Sequence, residues 1–319
     1  MKSDTNISTQ GKVVSQSEVA ICMCTYNGAR FLKEQMDSFA TQTHKNWRLW
    51  VSDDGSTDGT LDIIADYIER WGSKKIQLFH GPRKGFCANF LSLTNRKEIS
   101  GTYFAWADQD DVWMPDKLFR AMSCLASGAP EQPALYCCRV ILTDEKGVIY
   151  GLSPLHAQQN SFSNALIQNI GSGNTMVFNQ SARSLITLAG KDTVPFSHDW
   201  WAYIIVTGCG GRVYYDVNPF LRYRQHDRNI IGLKQKVISR IADLHREGYR
   251  ERIGQNIKGL NTVREKLLPN NLSLFNALVG LHDSKNWCKR LYYLWKLGFN
   301  RQTLFDNIGM LVASLIGKI

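Results

Sequence analysis

The stretch "WRLWVSDDGSTDGTLDIIADYIERW", residues 47–71, contains the pattern that decides the fold. It begins with an apolar run of aromatic and β-branched residues and continues into a polar turn that holds two adjacent acids, Asp53 and Asp54. Apolar residues then recur with helical spacing, at Leu61, Ile64, Tyr67 and Ile68. The stretch therefore predicts a buried strand, an acidic turn and an amphipathic helix, in that order.

The same alternation recurs around this stretch. Three more apolar runs predict strands, "VAICMC" (19–24), "KIQLFH" (75–80) and "TYFAWA" (102–107), and amphipathic segments lie between them. Alternating strands and helices predict an α/β fold with parallel strands and helices on both faces, which binds ligands at the carboxyl ends of its strands. Further along, "ALYCCRVILTDEKGVIYG" (134–151) predicts a hairpin with its turn at Asp144 to Gly147.

Composition indicates a globular protein of 319 residues, 44% of them hydrophobic, which is enough for a sizeable core. The eight cysteines have neither metal-ligand spacing nor disulfide-scaffold density, so a reducing, cytoplasmic compartment is expected. Residues 1–17 lack the apolar run of a secretory signal and are predicted to be a disordered leader. No segment approaches the roughly 20 apolar residues that span a bilayer.

The net charge of +10 belongs almost entirely to the end of the chain. Residues 232–319 contain 15 Lys and Arg against 6 Asp and Glu, and they read as a basic helical extension. Near the end, Lys and Arg alternate with Trp, Tyr, Leu and Phe. Two interpretations stay open, a peripheral contact with an anionic membrane and a helical cap that packs on the preceding domain. Because this charge lies on no recognisable DNA- or RNA-binding module, no nucleic-acid partner is expected.

The segment "WADQDDVWMPDKL" (106–118) crowds three acids, Asp108, Asp110 and Asp111, where a predicted strand ends. Such carboxylates are costly unless a cation meets them, and hard oxygen ligands suit Mg²⁺ or Mn²⁺ held jointly with substrate phosphates. The alternative is that Asp111 or Asp116 only caps the helix that follows. Asp53 and Asp54 have a similar pair of interpretations, a turn with a helix cap, or a carboxylate that binds a pyrimidine base beside Tyr26.

Taken together, the segments of this chain resemble family 2 glycosyltransferases of the GT-A fold, close to a bacterial rhamnosyltransferase-like branch. The matching segments occur in the family's order over about residues 18–230: "CTYNGARFLKEQMDSFATQTHKNWRLWVSDDGSTDGT" (24–60), "GFCANF" (85–90), "WADQDDVWMPDKL" (106–118), "GNTMVFN" (173–179), "HDWW" (198–201) and "YRQHDRN" (223–229). The resemblance implies a Rossmann-like, mostly parallel sheet with flanking helices over residues 18–231, followed by the extension of residues 232–319.

The resemblance also implies site residues. Those expected around the nucleotide sugar are Thr25, Tyr26, Asp53, Asp54, Arg83 (or Lys84) and Asp108. Asp110 and His226 are expected to bind the metal, with Asp111 behind them, and Asn174, Thr175, Trp200 and Trp201 are expected on the acceptor side, although "WW" is equally consistent with core and the glycines near Asn174 with a tight turn.

Asp199 falls where such enzymes carry their catalytic base. A positioned carboxylate can remove the proton of a sugar hydroxyl as the new bond forms, while the metal stabilises the departing diphosphate. One base and one metal suffice for direct displacement, so inversion at the anomeric carbon without a covalent enzyme intermediate is expected. Without the resemblance, Asp199 is equally a helix cap and His198 a core histidine.

The predicted function is the transfer of a sugar, L-rhamnose from dTDP-rhamnose, to a lipid-linked surface polysaccharide or O-antigen at the inner face of the cell membrane. A rival within the fold transfers a hexose or N-acetylhexosamine from a UDP donor. A rival of another class is a two-metal phosphoryl-transfer enzyme that uses Asp53, Asp54, Asp108 and Asp110 as ligands. That rival assigns no role to "HDWW".

Overall fold

The computed structural model describes residues 15–156, 158–188, 194–227, 247–298 and 301–319. Its strands are β1 Val19–Thr25, β2 Trp47–Asp53, β3 Ile76–His80, β4 Tyr103–Ala107, β5 Val112–Trp113, β6 Ala134–Cys138, β7 Ile141–Thr143, β8 Ile149–Leu152, β9 Val177–Asn179, β10 Arg212–Asp216 and β11 Leu221–Arg224. Its α-helices are α1 Leu32–Ala40, α2 Thr60–Trp71, α3 Phe86–Thr94, α4 Lys117–Leu125, α5 Phe162–Ile167, α6 Gln180–Ile186, α7 His198–Gly208, α8 Glu247–Thr262, α9 Pro269–Asp283, α10 Trp287–Leu297 and α11 Leu304–Leu315.

The main sheet has seven strands in the order β10-β6-β9-β4-β1-β2-β3. β4, β1, β2 and β3 are mutually parallel, and β9 runs antiparallel between β4 and β6. All seven residues of β1 are buried, as expected for a strand covered by helices on both faces. The predicted mostly parallel sheet with flanking helices is confirmed, and the four strands predicted before residue 108 all form.

The predicted hairpin forms only in part. β7 and β8 pair antiparallel in a second sheet of order β5-β11-β7-β8, and their turn lies where predicted, with the Gly147 N–H donating to the Asp144 carbonyl at 3.0 Å. The "ALYCC" segment, however, leaves the hairpin and pairs in the main sheet as β6. A short apolar run carries no signal for which sheet it joins, because both environments bury it.

Helices cover both faces of the main sheet. One core cluster includes residues of α1, α2 and α4, and the other includes residues of α3, α5 and α7. The second cluster continues without a break into α8 to α11, through Ile253, Phe275, Leu294 and Met310. The helical extension therefore packs on the preceding domain through a shared core.

Two predicted boundaries lie largely outside the described residues. The predicted leader, residues 1–17, is described only from Ser15, and there Ser17 is buried, with its carbonyl 3.0 Å from His44 Nε2. The predicted division between residues 231 and 232 lies within 228–246, which the structure does not describe.

Candidate active site

The carboxyl ends of β1, β2 and β4 lie side by side at one edge of the sheet. Thr25 is paired in register with Asp53, and Met23 is paired with Ala107, the last residue of β4. Residues that are far apart in sequence, Tyr26, Asp54 and Asp108, therefore follow three adjacent strands at the same edge. This is where ligands bind in open parallel sheets.

Asp53 organises the loop that follows β2. Its carboxylate accepts hydrogen bonds from the Thr25 hydroxyl at 2.8 Å, from the backbone N–H groups of Gly55 and Ser56 at 3.0 and 2.8 Å, and from the Ser56 hydroxyl. Asp53 is only 4% exposed. Both oxygens are thus engaged within the protein, so Asp53 shapes the turn and orients Thr25.

Asp54 connects this loop to the one after β3. Its two oxygens accept from the backbone N–H groups of Arg83, at 2.6 Å, and Gly85, at 3.0 Å. A side chain at Gly81 would lie within 2.9 Å of both the Asp54 carboxylate and the Asp53 carbonyl, so only glycine allows the approach of the two loops. The Arg83 side chain is exposed and its Nε lies close to Gly55, which places a positive charge beside the acidic turn.

Tyr26 stands at the mouth of this edge with 59% of its surface exposed. Its backbone is clamped by Gln109: the Tyr26 N–H donates to Gln109 Oε1 at 2.9 Å, and Gln109 Nε2 donates to the Tyr26 carbonyl at 3.0 Å. This pair of bonds fixes the loop after β1 against the loop after β4, while the phenol ring stays free to contact a ligand.

Three of the predicted acids share one electrostatic environment. Burial, together with the nearby negative charges of Asp110 and Asp199, raises the pKa of Asp108 to about 8. The pKa of the Tyr223 hydroxyl is raised by burial and also by the charges of Asp111, Asp108, Asp110 and Asp199. The carboxylate from α7 therefore faces the same region as the acids that follow β4, although 88 residues separate Asp111 and Asp199 in the sequence.

Asp110 follows β4 and His226 follows β11, and their side chains meet. His226 Nε2 lies 2.8 Å from Asp110 Oδ2, and the two side chains are 8% and 16% exposed. The Phe31 ring packs on the imidazole with centroids 5.1 Å apart. At this distance the two groups form a hydrogen bond, and a carboxylate and an imidazole are also side-chain types that bind divalent ions. Among the described residues, no three His, Cys, Asp or Glu side chains are grouped to hold an ion.

Arg224 has a structural role. Its guanidinium donates to Glu34 at 2.6 Å and to the carbonyls of Asp110 and Glu145, and it lies over the Phe31 ring. Arg224 is 4% exposed. These contacts hold the guanidinium inside the protein, where it joins α1, the β7–β8 turn and the loop of residues 108–111 after β4, here called the acidic loop.

Asp111, Asn174 and Thr175 are buried completely. The Asn174 amide donates to Asp111 Oδ2, and the Asp111 Oδ1 accepts the Arg224 N–H at 3.3 Å. The Thr175 hydroxyl donates to the Ser172 carbonyl at 2.7 Å. Asn174 and Thr175 were expected on the acceptor side, yet their side chains are buried: Asn174 supports the acidic loop from behind, and Thr175 closes its own turn through Ser172. Asp111 does not cap α4, and neither does the side chain of Asp116.

His198 and Asp199 open α7 and have contrasting surroundings. The His198 imidazole is stacked on Phe90 with centroids 4.0 Å apart and lies against Trp106 at 4.7 Å, and burial lowers its pKa to about 4. Asp199 is partly exposed in the first turn, where the helix dipole favours a carboxylate, and its Oδ1 accepts the Trp200 N–H at 2.7 Å. A neutral, packed histidine thus fixes the position of the residue after it.

Trp200 and Trp201 belong to the core. They are 5% and 0% exposed, and their indole N–H groups donate to the carbonyls of Ala165 at 2.7 Å and Ile186 at 3.1 Å. The core alternative, and not an acceptor wall, describes both residues. An aromatic pair gives the same sequence signal in either place, because the apolar run that follows is buried on all sides.

Sequence reasoning missed several residues of this site. No role was predicted for Gln109, which lies between Asp108 and Asp110. Phe31 and Tyr223 are residue types that are common in ordinary cores. The ion pair of Arg224 with Glu34 spans 190 residues, so no local pattern signals it. Three of these residues lie inside segments quoted for the family resemblance, Phe31 in residues 24–60, Gln109 in 106–118 and Tyr223 in 223–229, and that membership was the signal that could have singled them out.

The family model described as "Glycosyl transferase family 2" matches residues 20–184, more than half of the chain. The chain belongs to glycosyl transferase family 2. The family resemblance predicted from the ordered motifs is thereby confirmed, and the matched region includes the acidic loops after β2 and β4.

Two curated relatives align with more of this chain than the family model does. The dTDP-rhamnosyl transferase RfbG of Shigella flexneri is 27% identical over 221 residues, which are 66% of this chain and 73% of that protein. An uncharacterized glycosyltransferase of Rickettsia typhi, RT0329, is 26% identical over 216 residues, 66% of this chain and 64% of that protein. The chain thus aligns with a little under two thirds of the Rickettsia protein's length.

Solved glycosyltransferases share the fold. Staphylococcus aureus TarS 1–349, crystallised with UDP-GlcNAc, superposes with a TM-score of 0.54 at 14% identity, covering 93% of this chain and 79% of that one. The mannosyltransferase PcManGT of Pyrobaculum calidifontis, in complex with GDP-Man and Mn²⁺, gives a TM-score of 0.53 at 15% identity, covering 98% and 92%. This family 2 chain has the GT-A architecture that its motifs predicted.

Proposed function

We propose that this family 2 protein is an inverting glycosyltransferase that moves a sugar from a nucleotide donor to a saccharide hydroxyl. The observation that carries the proposal is the convergence of carboxylates from two elements, because Asp199 at the start of α7 lies within electrostatic range of Asp108 after β4. A base for the acceptor and acids for the donor thus face one region.

The nucleotide part of the donor is assigned to the edge formed by β1 and β2. The exposed Tyr26 ring offers a face for the base, and the loop that Asp53 and Asp54 hold together offers polar groups for the base and ribose. Arg83, exposed beside Gly55, is placed to meet a phosphate. Asp108, at the start of the acidic loop, is proposed to contact the ribose or the metal.

A divalent ion fits the Asp110–His226 pair, since a carboxylate oxygen and an imidazole nitrogen lie 2.8 Å apart at the site edge. Mg²⁺ or Mn²⁺ held there with the donor's diphosphate would neutralise the charge of the leaving group. Asp111 and Asn174, buried behind this pair, keep the acidic loop in position.

Asp199 is assigned as the catalytic base. As the acceptor oxygen attacks the anomeric carbon, the Asp199 carboxylate accepts the hydroxyl proton, and the bond to the nucleotide diphosphate breaks on the opposite side. His198 is buried and packed on Phe90, so it acts by positioning Asp199 and not by proton transfer. A single displacement of this kind inverts the anomeric carbon without a covalent enzyme intermediate.

For the donor we propose dTDP-rhamnose, and for the acceptor a lipid-linked surface polysaccharide or O-antigen, with the reaction at the inner face of the cell membrane. The named activity of the Shigella flexneri relative supports the choice of donor. A UDP-hexose or UDP-N-acetylhexosamine is the alternative donor, because the shared fold by itself does not select the sugar.

A donor panel tests this proposal. The purified protein is incubated with Mn²⁺ and with dTDP-rhamnose, UDP-glucose, UDP-galactose, UDP-GlcNAc or GDP-mannose, and donor hydrolysis and the shift in unfolding temperature are measured. Only dTDP-rhamnose is expected to raise the unfolding temperature of the protein and to be slowly hydrolysed by it. A UDP sugar as the sole responder would replace the donor assignment. Phosphodiester cleavage without sugar release would favour the phosphoryl-transfer rival, which Asp53 and Asp54 disfavour because both already accept backbone N–H groups.

A further inference from the structure

The last two helices expose a large apolar surface. In α11 and its end, six apolar side chains are between 38% and 73% exposed: Leu304, Phe305, Ile308, Val312, Leu315 and Ile316. In α10, three aromatic side chains are between 54% and 69% exposed: Trp287, Tyr292 and Trp295. These nine side chains are called the tail surface. Such a concentration of exposed apolar residues is uncommon on a protein that meets only water.

α11 is amphipathic in the reverse sense. Positions 304, 308, 312 and 315 recur every three or four residues and so share the outward face. The polar residues of the helix, in contrast, face the protein: Asp306 and Ser314 are 0% exposed and Asn307 is 9% exposed. A helix on a water-facing surface has the opposite arrangement. The outer face of α11 therefore suits an apolar environment.

The exposed charge of residues 284–319 is positive. Residues 284–319 contain six Lys and Arg and one acidic residue, Asp306, which is buried. Lys285, Lys289 and Lys296 are exposed on or beside α10, each within two residues of an exposed tryptophan. Lysine interleaved with Trp and Tyr beside an apolar face is typical of helices that lie in the interface of an anionic bilayer. A protein partner would need no such uniform charge.

The two helices form one unit that is fixed to the catalytic domain. The Arg290 guanidinium of α10 donates to the Leu315 carbonyl of α11 at 3.0 Å. The buried Arg301, which precedes α11, donates to the Ile167 carbonyl of α5 at 3.1 Å. Contact at the tail surface would therefore hold the whole catalytic domain in a set orientation.

The tail surface suits contact with a bilayer in its plane. α11 has 12 residues and so is about 18 Å long, short of the roughly 30 Å hydrocarbon core. Across the described part of the chain, no helix has the length and hydropathy needed to cross a membrane. We propose that the tail surface inserts into the headgroup and upper acyl region of an anionic lipid bilayer, with its lysines at the phosphates. This proposal goes beyond the transfer reaction and does not depend on its chemistry.

Vesicle flotation of the full chain tests the proposal. Vesicles of phosphatidylcholine alone and of phosphatidylcholine with phosphatidylglycerol are compared at low and high salt. Binding to the anionic vesicles is expected, and it should weaken by at least about 30-fold on neutral vesicles or at 1 M salt. Lys289→Gln with Lys296→Gln should weaken binding about 30-fold, since each lysine near an anionic surface contributes about fivefold. Lys74→Gln with Lys97→Gln, two exposed lysines elsewhere, is the matched control.

The apolar contribution is tested with Leu304→Ser, Phe305→Ser and Ile308→Ser combined, which should abolish flotation. Val148→Ser with Tyr150→Ser, on exposed residues of the β7–β8 hairpin region, should leave it unchanged. Circular dichroism verifies that each variant folds. Absence of flotation with the wild-type chain would overturn the proposal. So would concentration-dependent dimerisation that the triple variant abolishes while vesicles bind neither form, because a second copy would then cover the surface. Donor binding measured without vesicles reports on the transferase assignment separately.

Discussion

His226 Nε2 lies 2.8 Å from Asp110 Oδ2, so two residues separated by 116 positions meet at the edge of one sheet. Asp110 belongs to an acid-rich segment and His226 to a basic turn, and neither local pattern shows that the two side chains meet. Together they place a nitrogen and an oxygen donor next to the acidic loop, where a donor's diphosphate would lie. Cation-dependent binding of the donor nucleotide should therefore depend on this pair.

Replacing His226 by Ala should weaken cation-dependent binding of dTDP or UDP by about 10- to 100-fold, because a ligand or its orienting partner is lost. Binding measured in EDTA should change little. Calorimetric titration with and without Mn²⁺ makes the comparison. His282→Ala is the matched control. His282 Nδ1 lies 2.9 Å from Asp283 Oδ1, and this pair lies at the end of α9, away from the site. Equal cation dependence in His226→Ala and wild type would contradict the metal assignment.

Asp199→Asn should lower kcat by about 10²- to 10⁴-fold while the Kd for the donor nucleotide stays within twofold, because the amide cannot accept the acceptor's proton. Asp62→Asn is the control, since Asp62 also occupies the first turn of a helix, α2, but is exposed. Steady-state transfer and nucleotide titration are measured side by side. Near-normal turnover of Asp199→Asn would remove Asp199 from the role of base.

Tyr26→Ala should reduce nucleotide affinity about 5- to 100-fold, because stacking of a base on an aromatic ring contributes about 1–3 kcal/mol. Stability should be unchanged, as the ring is 59% exposed and the Gln109 clamp uses only the Tyr26 backbone. Tyr292→Ala, at a similarly exposed tyrosine of α10, should leave nucleotide affinity unchanged. Loss of affinity in both variants, or in neither, would argue against a base contact at Tyr26.

Gly173→Ala should destabilise the protein by about 1–3 kcal/mol, because its Cβ would lie 2.3 Å from His198 Nε2 in a packed core. Displacement of His198 should also lower kcat through Asp199. Gly248→Ala meets nothing within 4 Å in α8 and should be neutral or stabilising by about 0.5–1 kcal/mol. Urea unfolding compares the two, and equal stability would show that the His198 packing yields without cost.

Stability should fall with acidification partly through His198. Burial lowers the folded-state pKa of His198 to about 4 from 6.5, so the unfolded chain binds more protons between these values. This contribution is complete above pH 6.5 and is lost as the pH falls towards 4, by about 2 kcal/mol at pH 5. His198→Phe, which keeps an aromatic ring against Phe90, should flatten the pH dependence of the free energy of unfolding. Parallel curves for the variant and wild type would contradict this.

Much of the fold was predictable because it depends on local patterns. The four strands before residue 108 and the helix at 60–71 were predicted from apolar spacing, and the acidic turns from their place after strands. The β6 strand was assigned to a hairpin because strand partners are chosen by tertiary packing, and a short apolar run fits either sheet equally well.

The roles of single residues were also misjudged where they depend on tertiary packing. Trp200, Trp201, Asn174 and Thr175 were expected at the acceptor, but burial of these side chains is decided by α5, α6 and the acidic loop, which lie elsewhere in the sequence. Similarly, Gln109 became a clamp only because β1 and β4 are neighbours. Side-chain burial is a property of the assembled core and not of the segment.

The sequence by itself determined the family, the alternation of strand and helix, and the types of residue that follow each strand, since periodicity and motif order are local properties of the chain. Only the tertiary structure decided that Asp199 lies within electrostatic range of Asp108, that His226 meets Asp110 and that α11 turns its apolar side outward. These relationships depend on contacts between residues far apart in the chain, and such contacts are fixed when helices and sheet pack together to exclude water.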